Sequence, residues 1–439
     1  MVWEEVKHTL RLGWPIILGN ITQILLGIID SAMVGAIHSS QLAAASFVNN
    51  LIGIPFILVI GLSMAISPLV AAALGEGDRD KPLRILYNGT WAVGIAATLL
   101  AILIHVGIDG VDYMGQDKIV AELSKPYLIW MAWGMIPMAL FMAVKQFADG
   151  LGKTQMPMYL SLASIPLNVL LNYLFIYGKW GAPRLELEGA GIGTLFSRLA
   201  IMIAIVLFVW KGKSFEPYRQ QLSQQLQLRK DRLRDVLRIG LPSAMQYGME
   251  SSAFAISGIM IGWLGYIQQA AHQIAISLAA LTFMVSLGIS ATGSIRAAYA
   301  FGQKDKAKVR QIGTTIIWMG IIYGVLCALV FILGRHILPR FFNEEAQVLY
   351  YASSLLILAA AFQISDSVQA IGVGLLRGIQ DVRIPTLYVS IAYWVLGIPS
   401  GYLMAFVLGM DVQGIWWGFV FGLSTSAILL SLRFLKLTR

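Results

Sequence analysis

Residues 11–35, RLGWPIILGNITQILLGIIDSAMVG, and residues 238–262, RIGLPSAMQYGMESSAFAISGIMIG, lie on one another without a gap. Arg11 falls on Arg238, Gly13 on Gly240, Pro15 on Pro242 and Gly35 on Gly262, all at an offset of 227. The same register continues through Phe56 and Phe283, Gly61 and Gly288, Ser67 and Ser294, Gly75 and Gly302, and Lys81 and Lys308. Farther on, Gly150 meets Gly378 at an offset of 228, and Gly189 meets Gly414 at 225. A register held over this distance marks an internal duplication.

The duplicated unit is not a soluble one. Of 439 residues, 57% are apolar and 13% charged, against about 25% charged in a typical soluble domain. That is too little charge to cover a water-facing surface, which excludes a soluble globular enzyme. The mean hydropathy of +0.72 and the long uncharged runs predict membrane-spanning helices. Twelve such stretches occur, near 14–34, 44–74, 86–108, 124–147, 158–178, 189–211, 240–264, 270–300, 312–334, 347–374, 384–409 and 412–434. Glu4 and Glu5 precede the first, which is too long for a signal peptide. The single cysteine, Cys327, excludes an intrachain disulfide and a cysteine-based metal cluster.

The expected fold is therefore an all-α polytopic membrane protein of 12 transmembrane helices, built as two parallel six-helix repeats. An even number of spans per repeat sets both halves the same way up, related by a pseudo-two-fold axis along the membrane normal. Secondary transporters commonly use this plan, with lobes that rock for alternating access. The expected division is an N-terminal lobe at 1–212, a cytoplasmic linker at 213–237 and a C-terminal lobe at 238–439. With the N-terminus inside, 24 of the 32 Lys and Arg fall on cytoplasmic segments and six outside. By the positive-inside rule both termini face the cytoplasm. The same rule accounts for the basic loop from Lys211 to Arg238, so no nucleic-acid partner is expected; the surroundings are the lipid bilayer.

Three acidic residues interrupt apolar spans: Asp30, Glu250 and Asp366. Each costs about 2.5–3.5 kcal/mol at mid-membrane, which makes each a functional candidate. Asn20, Gln23, Gly27 and Asp30 form one stripe on the first helix, and Ser161, Ser164, Asn168 and Asn172 another on the fifth. Gln246 and Glu250 share a face of the seventh span; Phe362, Asp366 and Gln369 share a face of the tenth. Burial penalises a charged carboxylate, so a proton or a paired cation neutralises it. That suits an ion-coupling site. The repeat places Glu250 on Gln23, Asp366 on Met138 and Asp30 on Ser257, so the carboxylates are not duplicated with the scaffold.

Other features carry less. Pro15 is a hinge candidate within the first helix, Arg296 is expected to snorkel, and His105 and His272 to make ordinary polar contacts. The run Gly150-Leu151-Gly152-Lys153-Thr154 imitates the end of a phosphate loop, but Phe147 stands where its first glycine belongs. With no catalytic triad, zinc motif or dinucleotide fingerprint, the chain reads as a non-enzyme without cofactor, energised by an ion gradient.

The segment Gln23-Ile-Leu-Leu-Gly27-Ile-Ile-Asp30-Ser-Ala-Met33-Val-Gly35 resembles the first-helix signature of the multidrug and toxic compound extrusion (MATE) transporters. Pro15, Pro242, Glu250, Asp366 and the run Gly374-Leu-Leu-Arg377-Gly378 are similar to that family too, and the joint presence of Glu250 and Asp366 resembles its NorM-like bacterial branch. The resemblance covers the whole chain. It implies a monomeric antiporter of the bacterial cytoplasmic (inner) membrane that exports cationic amphipathic drugs in exchange for Na+ or H+. It implies a first-lobe cation or proton cluster at Asp30, Asn168, Asn172 and Thr194, and a second-lobe cation site at Glu250 and Asp366. Na+ at Glu250, Asp366 or Asp30 is the favoured coupling ion and H+ the other. Gln23, Gln246, Phe362 and Gln369 are weaker candidates for the substrate cavity; Phe362 stands where several members carry a tyrosine. The alternative is a lipid-linked precursor flippase of the wider superfamily, against which the acidic sign of the buried charges argues.

Overall fold

The computed structural model describes residues 2–218 and 227–439; positions 219–226, inside the linker expected at 213–237, lie outside the described residues. Among the described residues the chain is helical and has no strand. The principal helices are α1 (Val2–Gly35), α2 (Ser39–Gly75), α3 (Lys81–Val106), α4 (Lys118–Gly150), α5 (Gln155–Tyr177) and α6 (Glu186–Lys211). The second set is α7 (Lys230–Leu264), α8 (Tyr266–Gly302), α9 (Lys306–Gly334), α10 (Ala346–Gly378), α11 (Arg383–Val407) and α12 (Asp411–Leu437). Eleven of them are long and apolar enough to cross a membrane. The twelfth, α7, has the length, 35 residues; Gln246, Glu250, Ser251, Ser252 and Ser257 lower its apolarity. The helices overrun the apolar stretches read from the sequence because backbone hydrogen bonding continues past the hydrocarbon-like run until a cap stops it. Asp117 and Asp305 supply such caps, accepting from the backbone N–H of Ile119 at 2.9 Å and of Lys308 at 2.8 Å. Several helices are interrupted: α2 at Met64 and Ala65, α4 at Gly134, and α11 by π-helical turns at Ala392–Gly397 and Leu403–Val407.

Packing divides the chain into one compact unit of Met1–Ile17 with Met245–Arg439 and another of Leu18–Ala244. The first half of α1 is thus grouped with the second repeat, and the first half of α7 with the first repeat. These units and the sequence halves 1–212 and 238–439 are different divisions of the chain.

Within the first unit, the start of α1 packs on α8. A side chain at Gly288 would meet Ile17, whose Cα lies 3.1 Å from the would-be Cβ, and one at Gly13 would lie 2.9 Å from Thr292 Oγ1. Arg296 does not snorkel. It donates to the Glu5 carboxylate, to the Glu5 carbonyl at 2.9 Å and to Thr9 Oγ1 at 2.5 Å, while Lys308 also pairs with Glu5. The carboxylate of Glu5 is itself buried, so a neighbouring acceptor wins over the distance to water. Helix α10 runs through the core of this unit, with Leu355, Ile371 and Leu375 buried beside Leu423 and Phe434 of α12.

The second unit repeats these contacts at the duplicated positions. A side chain at Gly61 would lie 2.6 Å from the Cα of Ala244, the counterparts of Gly288 and Ile17. One at Gly150 would lie 2.6 Å from the carbonyl of Ser67, and one at Gly378 2.5 Å from that of Ser294. The shared glycines are thus points of close helix approach, where van der Waals packing rather than hydrophobic expulsion holds helices in a membrane. Apolar residues also point outward: Trp318, Ile322, Leu326, Leu329 and Leu333 form an exposed stripe on α9, as a lipid-facing helix requires.

Candidate functional site: two buried carboxylate clusters

Helices α1, α5 and α6 bring together the first set of polar residues. Asn172 Nδ2 donates to Asp30 Oδ1 at 2.6 Å, and Thr194 Oγ1 donates to Asp30 Oδ2 at 3.2 Å. Asn172 also reaches Asn168 Oδ1 at 3.3 Å, and Asn168 Nδ2 reaches Thr194 Oγ1 at 3.4 Å. The i, i+4 spacing of Asn168 and Asn172 places both on one face of α5. The four residues named from the sequence therefore form one hydrogen-bonded cluster. A cavity of about 590 Å³ adjoins it, lined by Gln23, Gly27, Asp30, Asn168, Thr194 and Arg198 among others. Arg198, a charge within the sixth helix, lies over the Phe56 ring, 5.5 Å from its centroid. It is also within electrostatic reach of Asp30. A lone in-span arginine carries no periodic signal linking it to a carboxylate on another helix.

The second cluster is formed by α7, α10 and α11. Gln369 Nε2 donates to Glu250 Oε1 at 3.0 Å and to the Tyr393 oxygen at 3.1 Å; the Tyr393 hydroxyl donates to Glu250 Oε1 at 3.2 Å. Asp366, one helical turn before Gln369, is buried and within electrostatic reach of Glu250. Phe362 is directed elsewhere, with its ring 5.5 Å from that of Trp416. The phenol that meets Glu250 is that of Tyr393, which lies in the π-helical segment of α11. That irregular turn breaks the 3.6-residue pattern, so helical spacing does not reveal Tyr393 as a partner of Glu250. Gln246 is buried on α7.

Chemically the second cluster is a set of oxygens. Gln369 Oε1 is buried without a hydrogen-bond partner, while the Nε2 of the same amide meets the Glu250 carboxylate and the Tyr393 phenol. Carboxylate, amide and hydroxyl oxygens suit a hard monovalent cation, whereas thiolate or imidazole sites suit softer transition metals. Among the described residues no group of three or more His, Cys, Asp or Glu is placed to hold a metal ion.

The MatE family model matches residues 15–174 and 242–403. Both matched segments begin at the paired prolines. The chain is 35% identical to the "Probable multidrug resistance protein NorM" of Agrobacterium fabrum, over 100% of this chain and 95% of that one. It is 32% identical to the "Multidrug resistance protein MdtK" of Edwardsiella ictaluri, over 100% of this chain and 96% of that one. The fold is similar to that of the eukaryotic MATE transporter AtDTX14, with a TM-score of 0.90 at 22% identity, over 98% of this chain and 96% of that one. It is similar also to Vibrio cholerae VcmN in its bent form, with a TM-score of 0.89 at 17% identity, over 100% and 98% of the two chains.

Proposed function

Since the chain belongs to the MatE family of multidrug efflux transporters and is NorM-like within it, we propose that it exports cationic amphipathic compounds in exchange for Na+ or H+. The protein is a multi-pass membrane protein that moves small organic substrates. In this reading it works as a monomer in the bacterial cytoplasmic membrane, with both termini inside. Lobes 1–212 and 238–439, joined by the linker 213–237, alternate access by rocking, and Pro15 serves as a hinge. In support, Pro15 lies within α1 two residues before the packing boundary at Ile17 and Leu18, where a missing backbone donor softens a helix.

The observation that carries the coupling assignment is the unpartnered oxygen of Gln369, whose amide nitrogen meets Glu250. A buried acceptor without a donor costs about 1–3 kcal/mol, and a bound cation removes that cost. Na+ seated among Glu250, Asp366, Gln369 and Tyr393 is therefore the favoured coupling ion. Asp30, hydrogen-bonded to Asn172 and Thr194 and with Arg198 nearby, is the proton or cation site of the first cluster. The Asp30-lined cavity suits an organic cation, which Gln23 helps to seat.

The deciding experiment is ethidium efflux from proteoliposomes of the purified protein, driven separately by an imposed Na+ gradient and an imposed pH gradient. Efflux under Na+ alone is expected, with Asp366→Asn inserted but inactive in coupled efflux. Efflux under the pH gradient alone moves the coupling step to Asp30. Efflux under neither gradient overturns the reading.

A further inference from the structure

We propose that the coupling cation released by Asp30 leaves through a hydrated file inside the Leu18–Ala244 unit, along α5, gated at its far end by the buried pair Lys145–Asp149. The proposal rests on the antiport reading above, and within it on Asp30 as a proton or cation site that loads and empties in every exchange cycle, alongside the second cluster. Helix α4 carries two buried charges, Lys145 and Asp149, that this reading does not use. Lys145 Nζ and Asp149 Oδ2 are 2.8 Å apart, with side chains 7% and 3% exposed. A buried pair of this kind gains little stability over apolar residues of the same volume, so packing alone does not explain two charges held out of water near the end of a span. It is not part of the duplicated scaffold: the offset of 228 puts Val373 and Arg377 at these two positions.

Between this pair and Asp30 lies the polar stripe of α5. Lys145 Cε and Ser161 Oγ flank the same point, 3.7 and 3.9 Å from where a Cβ of Gly19 would be. From Ser161 the stripe continues through Ser164, Asn168 and Asn172 to Asp30, about 16 Å along the helix from Ser161 to Asn172. Two atoms on this line are buried and unpartnered, Asp149 Oδ1 and Ser161 Oγ. Both can accept, and neither has a protein donor. Acceptors in that state fit water or a water-borne monovalent cation. Asp149 divides its oxygens accordingly, with Oδ2 held by Lys145 and Oδ1 left to receive. The pair lies next to the Gly150–Thr154 turn, which the Lys/Arg asymmetry puts on the cytoplasmic side. A cation arriving from Asp30 takes the place of Lys145 on Asp149 and passes to that turn, as a proton handed between waters or as Na+.

The test compares Ser161→Val, which fills the file with methyls, with Ser161→Ala, which leaves it open. In proteoliposomes, gradient-driven ethidium efflux by Ser161→Val is expected to fall about tenfold or more, a loss that removal of a step-specific interaction produces. Ethidium–ethidium exchange without a gradient needs no net ion release and is expected to stay within about twofold; driven efflux by Ser161→Ala, which removes one acceptor but leaves room for water, is expected to fall less than that by Ser161→Val. Running the Na+ and pH gradients separately distinguishes the two cations. Driven efflux by Ser161→Val at the wild-type rate overturns the file, and so does equal loss of driven efflux and exchange. Absence of driven efflux in the wild type instead overturns the antiport reading. A second measurement stands apart from turnover: Ser161→Cys in a Cys327→Ala background. Cys327 is the single native thiol and is buried. Labelling of the new thiol by a small water-soluble methanethiosulfonate supports the file; an inert thiol beside a fully labelled loop control overturns it.

Discussion

The hydroxyl of Tyr393 and the carboxylate of Glu250 meet at 3.2 Å, across the junction of α11 with α7, and Gln369 Nε2 contacts both. The phenol fixes one carboxylate oxygen and supplies a further oxygen to whatever neutralises it. Removing the hydroxyl by Tyr393→Phe should weaken Na+ binding at this cluster by about 1.5–3 kcal/mol, the usual worth of a hydrogen bond to a charged group. The expected result is a rise of about tenfold or more in the Na+ concentration that half-activates ethidium efflux, with the maximal rate less affected. An unchanged Na+ dependence would take Tyr393 out of the ion site.

That relationship marks where the sequence ceases to be informative. Asp30, Asn168 and Asn172 are legible because regular helices turn spacing into faces, and the resemblance added Thr194. Glu250 and Asp366 are legible because carboxylates are costly in apolar runs. Tyr393 and Arg198 are not, since a single tyrosine in an apolar span is ordinary and a lone arginine has no partner in sequence. Lys145 and Asp149 lie near a span end, where their charges read as topology; only tertiary packing shows them buried.

Arg198 gives a second prediction. It lines the cavity beside Asp30 and lies over Phe56, so it places positive charge where an organic cation is expected to bind. Unit charges at short range near a partly wet surface interact by a few kcal/mol at most. Arg198→Gln should therefore tighten ethidium binding about threefold to tenfold, read by fluorescence titration in detergent at low salt. Weaker binding would mean that Arg198 serves the substrate site by stacking or by orienting Asp30.

The duplicated glycines make a third. A Cβ on Gly61 would lie 2.6 Å from the Cα of Ala244, and Gly288 faces Ile17 in the same way. Backbone cannot yield as a flexible side chain does. Gly61→Val and Gly288→Val should each lower stability by about 1–3 kcal/mol or more, the cost of overpacking a close contact, seen as earlier melting in detergent. Gly53 has nothing within 4 Å of its would-be Cβ. Gly53→Ala should be neutral, or stabilising by about 0.5–1 kcal/mol through reduced backbone freedom.

The last prediction concerns Glu5, which accepts from both Arg296 and Lys308 and ties the start of α1 to α8 and α9. Glu5→Leu leaves the Arg296 guanidinium, 15% exposed, without its carboxylate in a site closed to most water. Breaking one side of such a pair costs about 3–5 kcal/mol, whereas replacing both members by apolar residues is often neutral. Lys308 is 38% exposed, so it can turn to water when its partner is lost. Glu5→Leu alone should therefore melt well below the wild type by size-exclusion thermal assay. Glu5→Leu with Arg296→Leu should recover most of the difference. If the double variant were no more stable than the single one, the carboxylate would be holding α1 through Lys308 or through packing, and the charge on Arg296 would not be what Glu5 answers.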